Sequence, residues 1–312
     1  MNRRDFIKTT ALGAASIGLL GFPMPAEAKN RAVRLVILHT NDTHSRIEPF
    51  PNDGRTHAGM GGMARRAALV NQIRQQEKNV LLLDSGDVFQ GTPYFNFFGG
   101  ELEYKLMSRM GYDATTLGNH EFDNGMEGLL KQLPHANFPH LIANYDFSDT
   151  PLVGKFKPYK VFGKQGVKVG VFGLGIELAG LVSDRNYGNT KYLDPVQKAN
   201  EIANILRKKE KCQLVICLSH LGYEYQSDKI SDKKLAAQSS GIDIILGGHT
   251  HTFMERPHYA EAADGKKVLI NQVGWAGINL GRIDLVFEPN GKVNYAASAV
   301  LPVHPTSELF SS

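Results

Sequence analysis

Residues 36–44 read Val-Ile-Leu-His-Thr-Asn-Asp-Thr-His, so polar side chains directly follow an apolar run. Such a run is typical of a buried strand. Asp42 and His44 are two residues apart, and in extended backbone this spacing turns both side chains to the same side. We therefore expect a carboxylate and an imidazole to converge where the strand ends, as half of a metal shell does.

The rest of the chain alternates between short β-rich runs and segments with helical spacing. Strands are predicted at 35–39, 80–83, 167–174, 214–218 and 242–246, and helices at 62–77, 94–110 and 195–209. From 267 to 300 the pattern is strand-like, with a hairpin turn at Pro289-Asn290-Gly291-Lys292. The alternation predicts the α/β class, with an antiparallel portion in the sheets.

The layout of strand and polar turn recurs after four later strands. The segments are Gly86-Asp87, Gly118-Asn119-His120-Glu121, Ser219-His220-Leu221-Gly222 and Gly248-His249-Thr250-His251. Side chains at the carboxyl ends of α/β strands meet over one edge of the sheet. Their imidazole nitrogens, carboxylate oxygens and amide oxygens suit Zn, Mn or Fe, and the lack of thiolates argues against a structural site.

The candidate ligands are too many for one ion. They are Asp42, His44, Asp87, Asn119, His220, His249 and His251. Two ions that share one bridging carboxylate would use them all, and Asp87 is the natural bridge. We therefore expect two divalent metal ions per chain, since such pairs polarise a phosphoryl group and generate hydroxide.

Together these segments resemble the calcineurin-like metallophosphatase superfamily and, within it, the bacterial 5′-nucleotidase family. The matching motifs, in the family's order over residues 33–300, are HTNDTH (39–44), DSGD (84–87), GNHEFD (118–123), SH (219–220) and GGHTH (247–251). The resemblance implies a four-layer α/β/β/α sandwich of two mixed sheets flanked by helices. It also implies a phosphoric ester hydrolase, most simply a 5′-nucleotidase-type phosphomonoesterase whose substrate is a nucleotide.

The same resemblance implies a role for each site residue. The first metal would be held by Asp42, His44, Asp87 and His251, and the second by Asp87, Asn119, His220 and His249. A metal-bound hydroxide would be the nucleophile. His120, oriented by Asp123, would stabilise the transition state or protonate the leaving alkoxide. A sugar alkoxide leaves poorly, so an imidazolium aligned by a carboxylate makes chemical sense.

Several neighbouring residues have simpler interpretations. Asp84 is expected to cap a turn, His39 to be packed, and Glu121 to be structural. The aromatic residues Phe95, Phe97, Phe98 and Tyr104 are predicted to pack in the core rather than to bind a base. Cys212 and Cys217 are predicted to be buried and unpaired.

The first 28 residues have the pattern of an export signal. Arg3-Arg4 forms a twin-arginine head, Thr9 to Phe22 is apolar, and Ala26-Glu27-Ala28 offers a cleavage site. The apolar stretch is too short to be a good spanning helix, and a retained anchor is the alternative. We therefore expect a Tat-type signal peptide at 1–28, a catalytic domain at 29–312, a periplasmic or otherwise exported protein, and no stable membrane span after cleavage.

The composition and length of the chain limit the kinds of partner that are expected. The net charge is +4 over 312 residues without a basic block, so a nucleic-acid polymer is not expected as a partner. The best-known bacterial members of the family carry a second, C-terminal domain that reads the nucleotide, and this chain ends about where that domain would begin. The chain could then act alone on varied phosphate esters, or with a separately encoded substrate-binding chain.

Rival interpretations of the function are a phosphodiesterase or nucleotide-sugar hydrolase, a sulfur-oxidation hydrolase, and a non-catalytic metal-binding subunit.

Overall fold

The computed structural model describes residues 32–289 and 293–304. The strands are β1 (Val33–Thr40), β2 (Val80–Asp84), β3 (Ala114–Thr115), β4 (Tyr145–Asp146), β5 (Tyr159–Lys164), β6 (Val167–Leu174), β7 (Lys191–Tyr192), β8 (Leu214–Ser219), β9 (Ile244–Leu246), β10 (His258–Glu261), β11 (Lys267–Asn271), β12 (Asn279–Phe287) and β13 (Val293–Pro302). The α-helices are α1 (Met63–Gln76), α2 (Pro93–Phe98), α3 (Glu101–Met110), α4 (Gly125–Gln132), α5 (Asp184–Tyr187), α6 (Pro195–Asn204) and α7 (Asp232–Gln238). The predicted signal peptide and most of the predicted hairpin turn lie outside the described residues. None of the helices described has the length and apolar character that crossing a membrane requires.

Two large mixed sheets form the centre of the fold. Their strand orders are β13-β12-β1-β2-β3 and β10-β11-β9-β8-β6-β5, and β4 pairs with β7 in a separate ribbon. The strands β1, β2 and β3 run parallel in the first sheet, and β6, β8, β9 and β11 run parallel in the second. Antiparallel strands flank both sets, as the sequence predicted.

The sheets pack face to face, with helices on both outer surfaces. Alternate residues of β1 divide between two cores: Leu35 and Ile37 pack between the sheets, whereas Val36 and Leu38 pack against α1 and α3. The outer face of the second sheet is covered by α6 and α7. Strands buried on both faces read as continuous apolar runs, which explains their clear sequence signal. The four-layer α/β/β/α sandwich is confirmed.

The helix predicted at 94–110 is wrong as a single element. It is divided into α2 and α3 by Gly99 and Gly100, whose φ angles are 62° and 103°. A side chain at Gly100 would overlap the Phe89 ring, so the break gives that ring its space. The predicted stop at Gly111 is confirmed, because this residue is left-handed and caps α3.

The break also determines which of the aromatic residues at 95–104 are buried. Core packing is confirmed for Phe95 and Tyr104, which are 5% and 0% exposed. It is wrong for Phe97 and Phe98, which are 81% and 48% exposed. A helix as short as α2 presents one face to the core, and Phe95 occupies that face. Both cysteines are buried and neither forms a disulfide, as predicted.

Stability should fall in mild acid because of His140, which is buried against the Tyr104 and Phe138 rings. Burial lowers the pKa of His140 from 6.5 to about 3. The neutral ring therefore stabilises the fold above pH 6.5, and this stabilisation is lost as the pH falls towards 3, at up to about 1.4 kcal/mol per pH unit. Urea unfolding of His140→Phe should show a shallower decline between pH 6.5 and 4.5 than the wild type. Parallel declines would contradict the assignment.

Candidate metal centre

All seven predicted ligands lie at the carboxyl ends of parallel strands. Two ligands follow β1, one follows β2 and one follows β3 in the first sheet, while one follows β8 and two follow β9 in the second. In the same order they are Asp42, His44, Asp87, Asn119, His220, His249 and His251. The structure brings them together at one edge of the sandwich, so this centre contains side chains from both sheets.

The convergence does not arise from strand alternation, so the prediction drawn from the spacing of Asp42 and His44 is wrong on this point. The strand β1 ends at Thr40, and Asp42 and His44 have left-handed backbones with φ angles of 50° and 47°. Three other candidate ligands are also left-handed: Asp87, His249 and His251. This conformation is uncommon for residues other than glycine and is concentrated at functional sites. The ligand loops are therefore strained turns held by their surroundings.

The first group of ligand atoms surrounds the Asp42 carboxylate. Its Oδ1 lies 3.9 Å from His44 Nε2 and 3.3 Å from His251 Nε2, and the two imidazole nitrogens are 2.9 Å apart. His44 Nδ1 faces the Phe89 carbonyl oxygen at 3.3 Å, which leaves Nε2 directed into the group. Two imidazole nitrogens and a carboxylate oxygen so close together form a suitable partial shell for a divalent cation.

The second group contains Asp87, His220 and His249, whose ligand atoms all lie within 4.8 Å of one another. His220 Nδ1 lies 2.7 Å from the Ser85 carbonyl oxygen, which can only accept. Its Nε2 lies 3.0 Å from Asp87 Oδ2, yet this buried nitrogen has no aligned hydrogen-bond partner among the described residues. An orphaned buried nitrogen beside a carboxylate fits a bound cation. Asn119 Oδ1 joins the group, 3.0 Å from His249 Nδ1.

The two groups form one continuous centre. The backbone N–H of His249 donates to both carboxylate oxygens of Asp42, at 3.0 Å each. Asp87 belongs to the second group and also to a third, with His44 and His120. Asp42 and Asp87 are both buried, at 0% and 2% exposure. Buried carboxylates need positive charge nearby, so the donor chemistry and the burial both fit metal ions.

Protons and metal ions compete for these histidines. Burial lowers the pKa of His220, but the Asp87 and Asp42 carboxylates outweigh it and raise the pKa to about 10. Burial lowers the pKa of His249 to about 4, which keeps its ring neutral and able to act as a ligand at neutral pH. A metal ion must displace the proton from His220, so binding at this centre releases protons and weakens in acid.

His120 and Asp123 stand beside these groups, at a turn that follows β3. The His120 ring is 5.1 Å from the His44 ring, and its Nδ1 lies 2.7 Å from Asp123 Oδ2. Burial lowers the pKa of His120, but the hydrogen bond with Asp123 and the charge of Asp87 raise it to about 9. The ring is about one-third exposed, at 31%. A charged, partly exposed imidazole of this kind can stabilise or protonate an anionic oxygen.

The supporting residues match their simpler interpretations. Asp84 caps the turn after β2 by accepting from the Gly86 N–H at 2.9 Å. His39 is buried against Asn271. Glu121 accepts from three backbone N–H groups at 2.6–3.0 Å, those of Asp87, Val88 and Gly118. This carboxylate therefore clamps the β2 and β3 loops together.

Sequence reasoning missed two residues of the site. Asn41 Nδ2 lies 2.6 Å from Asp42 Oδ2 and also 2.6 Å from the Gly274 carbonyl oxygen, so it fixes the first ligand to a distant loop. Trp275, in that loop, stacks on His251 with ring centroids 5.8 Å apart and planes at 10°. The position of Asn41 inside the first motif was an available signal for it. No motif in the sequence around Trp275 indicated that this residue belongs to the site.

Known proteins share the sequence pattern and the fold of this chain. The model of the calcineurin-like phosphoesterase family matches residues 35–253. The snake venom 5′-nucleotidase of Crotalus adamanteus is 35% identical over 281 residues, which cover 83% of this chain and 46% of that protein. The 5′-nucleotidase precursor from Thermus thermophilus has a TM-score of 0.77 and 34% identity, covering 88% of this chain and 56% of that one. The NAD nucleotidase of Haemophilus influenzae has a TM-score of 0.74 and 30% identity, covering 87% and 51%. The chain spans about half the length of these relatives.

Proposed function

The chain belongs to the calcineurin-like phosphoesterase family, and from that membership we propose that it is a metal-dependent phosphomonoesterase of 5′-nucleotidase type. The observation that carries the proposal is the continuous centre of candidate ligands, with the charged imidazole of His120 beside it. The similarity to nucleotidases along more than four-fifths of the chain supports a nucleotide as the substrate.

The ligand assignment is part of the proposal. One divalent ion would be held by Asp42, His44, Asp87 and His251, and a second by Asp87, Asn119, His220 and His249. Such ions supply concentrated positive charge that polarises a phosphoryl group and activates water. The donor set favours Zn, Mn or Fe over the harder Mg and Ca, because imidazoles predominate.

His120 and Asp123 would serve the leaving group. Asp123 occupies His120 Nδ1 and keeps the ring charged and oriented, which leaves Nε2 for the substrate. The Nε2 proton would pass to the ester oxygen as it departs. General-acid assistance of this kind contributes about 10²- to 10⁴-fold to turnover.

The direct test is phosphate release from AMP by protein loaded with Mn or Zn. We expect turnover of AMP and of mono-p-nitrophenyl phosphate, with bis-p-nitrophenyl phosphate as the poorer substrate. Metal-replete protein that leaves a broad panel of phosphate esters intact would contradict the proposal. In that case, about two metals per chain without turnover would favour a non-catalytic metal-binding subunit.

A second candidate is hydrolysis of a nucleotide diester or pyrophosphate bond. The specific observation in its favour is the similarity, at 30% identity, to a solved NAD nucleotidase. Release of AMP from NAD at a rate above that of phosphate release from AMP would favour this candidate. The same metal centre would serve both reactions, so the choice depends on the residues that hold the rest of the substrate.

Export and a partner chain complete the proposal. The twin arginine at Arg3-Arg4 favours a route that carries folded protein, so metals would be loaded before export. Unchanged export after both arginines are replaced by lysine would contradict this route. A separately encoded substrate-binding chain would be detected as a gain in turnover when the product of a neighbouring gene is added.

The close packing around Asp87 gives a sharp test of the centre. A methyl group at Gly118 would overlap Asp87 Oδ1 and lie 2.7 Å from the backbone nitrogen of Asp87. Gly118→Ala should therefore displace the carboxylate, lower the metal content and destabilise the fold by about 1–3 kcal/mol. Gly163→Ala on β5 is the matched control, since nothing lies within 4 Å of its added methyl group. Equal metal content in both variants would contradict the ligand assignment.

A further inference from the structure

Four aromatic rings extend outward from the metal centre. Trp275 stacks on the candidate ligand His251, as described above, and the Phe50 ring meets Trp275 edge-on at 5.8 Å. His57 lies 6.0 Å from Phe50, and Phe253 stacks on His57 at 5.8 Å with planes at 14°. We call Phe50, His57, Phe253 and Trp275 the aromatic shelf. Its innermost ring is Trp275, which stacks on the candidate ligand His251.

The shelf is accessible to solvent. Phe253 is 45% exposed, and the other three rings are only half-buried. None of the three hydrophobic cores of the sandwich includes these four residues. Large apolar rings that stay exposed next to a polar centre are a recognised mark of a binding surface.

The loop that carries Trp275 is fixed to the ligand loops. The Ala276 N–H donates to the Asp42 carbonyl oxygen at 2.7 Å, and the Val273 N–H donates to Asn41 Oδ1 at 3.0 Å. Ala276 is left-handed, with φ 56°, which marks a turn that its surroundings hold in place. Gly274 lets the Phe253 ring lie directly on the backbone, because a side chain there would overlap it. The rings are therefore held at a set distance from the centre before any ligand arrives.

A cation completes the surface. The Arg46 guanidinium lies over the Phe50 ring, 4.1 Å from its centroid. Arg46 is two residues after His44, so this positive charge belongs to the loop that also carries a candidate ligand. A ligand suited to this surface has a flat aromatic part for the rings and a negative group for the centre.

We propose that the aromatic shelf is a subsite that stacks the base of a nucleotide whose phosphate lies at the metal centre. The inference rests on the proposed phosphomonoesterase function and gives that function a base-recognising surface within this chain. A 5′-mononucleotide carries its base and its phosphate on the two sides of a single ribose. This suits a shelf whose first ring, Trp275, stacks on the candidate ligand His251. Base stacking on aromatic side chains is sequence-tolerant, so the subsite would accept several bases.

The first test uses fluorescence, because Trp275 is the only tryptophan in the 312 residues. Metal-loaded protein is titrated with adenosine, which has no phosphate ester to hydrolyse, and with ribose as the control. Saturable quenching by adenosine and none by ribose is the expected result, and Phe253→Leu should weaken the quenching. Absence of quenching by adenosine would overturn the proposal. Quenching without turnover of any ester would keep the subsite and count against the proposed function alone.

The second test compares AMP with ribose 5-phosphate, which has the same leaving alkoxide but no base. Phe253→Leu, which alters a ring of the shelf that does not stack on a candidate ligand, should raise KM for AMP by about 5- to 100-fold and leave the kinetics with ribose 5-phosphate unchanged. Tyr259→Leu, at an exposed aromatic residue on β10, is the matched control. Equal losses with both substrates would mean that the rings only support His251. Unchanged KM for AMP would mean that the rings do not contact the base, and either result overturns the proposal.

Discussion

Asp87→Asn should lower phosphate release by at least about 10³-fold and remove at least one metal ion per chain. Asp87 is the carboxylate that the two proposed ions share, and it lies 3.0 Å from His220 Nε2. Asparagine has the same shape, so the substitution removes charge and bridging ability while it preserves the packing. Loss of several kcal/mol of charge stabilisation in the transition state corresponds to a rate loss of this size. Elemental analysis of the purified variant and an AMP assay measure the two effects.

The matched control for this substitution is Asp228→Asn, because the Asp228 side chain is fully exposed. The control should keep both the metal content and the turnover of the wild type. Asp87→Asn protein with two ions per chain and ordinary turnover would contradict the bridging role. A folded variant with one ion would show that one of the two ions depends more strongly on the shared carboxylate.

His120→Ala should keep the full metal content and lose about 10²- to 10⁴-fold in kcat with AMP. The loss should be smaller with p-nitrophenyl phosphate, since p-nitrophenolate leaves without a proton. Asp123→Asn should act through His120. The Asp123 carboxylate raises the pKa of His120, so without it the His120 imidazolium should lose its proton at a lower pH. The alkaline limb of the pH–rate profile should therefore move to lower pH in this variant.

The geometry makes this experiment informative in both directions. His120 lies close enough to His44 and Asp87 to be grouped with them as a possible ligand. A carboxylate on Nδ1 is also the usual arrangement behind a metal-bound imidazole. Loss of a metal ion in His120→Ala protein would therefore make His120 a ligand and contradict its role as an acid. Asn119→Ala provides the contrast, since it should weaken metal binding.

The parts of the fold that sequence could predict are those with strong local signals. The parallel strands are buried on both faces and read as unbroken apolar runs, such as Leu35–Leu38 and Leu214–Leu218. Each is followed at once by polar residues, which is why the candidate ligands could be named before their positions were known. The helix break at Gly99 and Gly100 had a signal in its paired glycines, and the helical spacing around them concealed it.

The features that sequence could not predict depend on contacts between distant segments. Asp42 and His44 converge through left-handed turns whose strain is held by other loops. Asp and His adopt that conformation more often than most residues, but the residue type alone does not predict it. Trp275 reaches His251 because its loop is hydrogen-bonded to Asn41, more than two hundred residues earlier. Exposed Phe97 and Phe98 could not be told from core residues by composition, since both types of position accept phenylalanine.

The position of the candidate ligands at the ends of two different sheets has a mechanical consequence. Each proposed ion takes ligands from both sheets, so each would act as a cross-link across the edge of the sandwich. A cross-link of this kind must break before the two halves separate, which slows unfolding and raises kinetic stability. Chelation would then be expected to loosen hydrogen exchange along β1 and β8 together. The ions proposed for catalysis would therefore also stabilise the folded state.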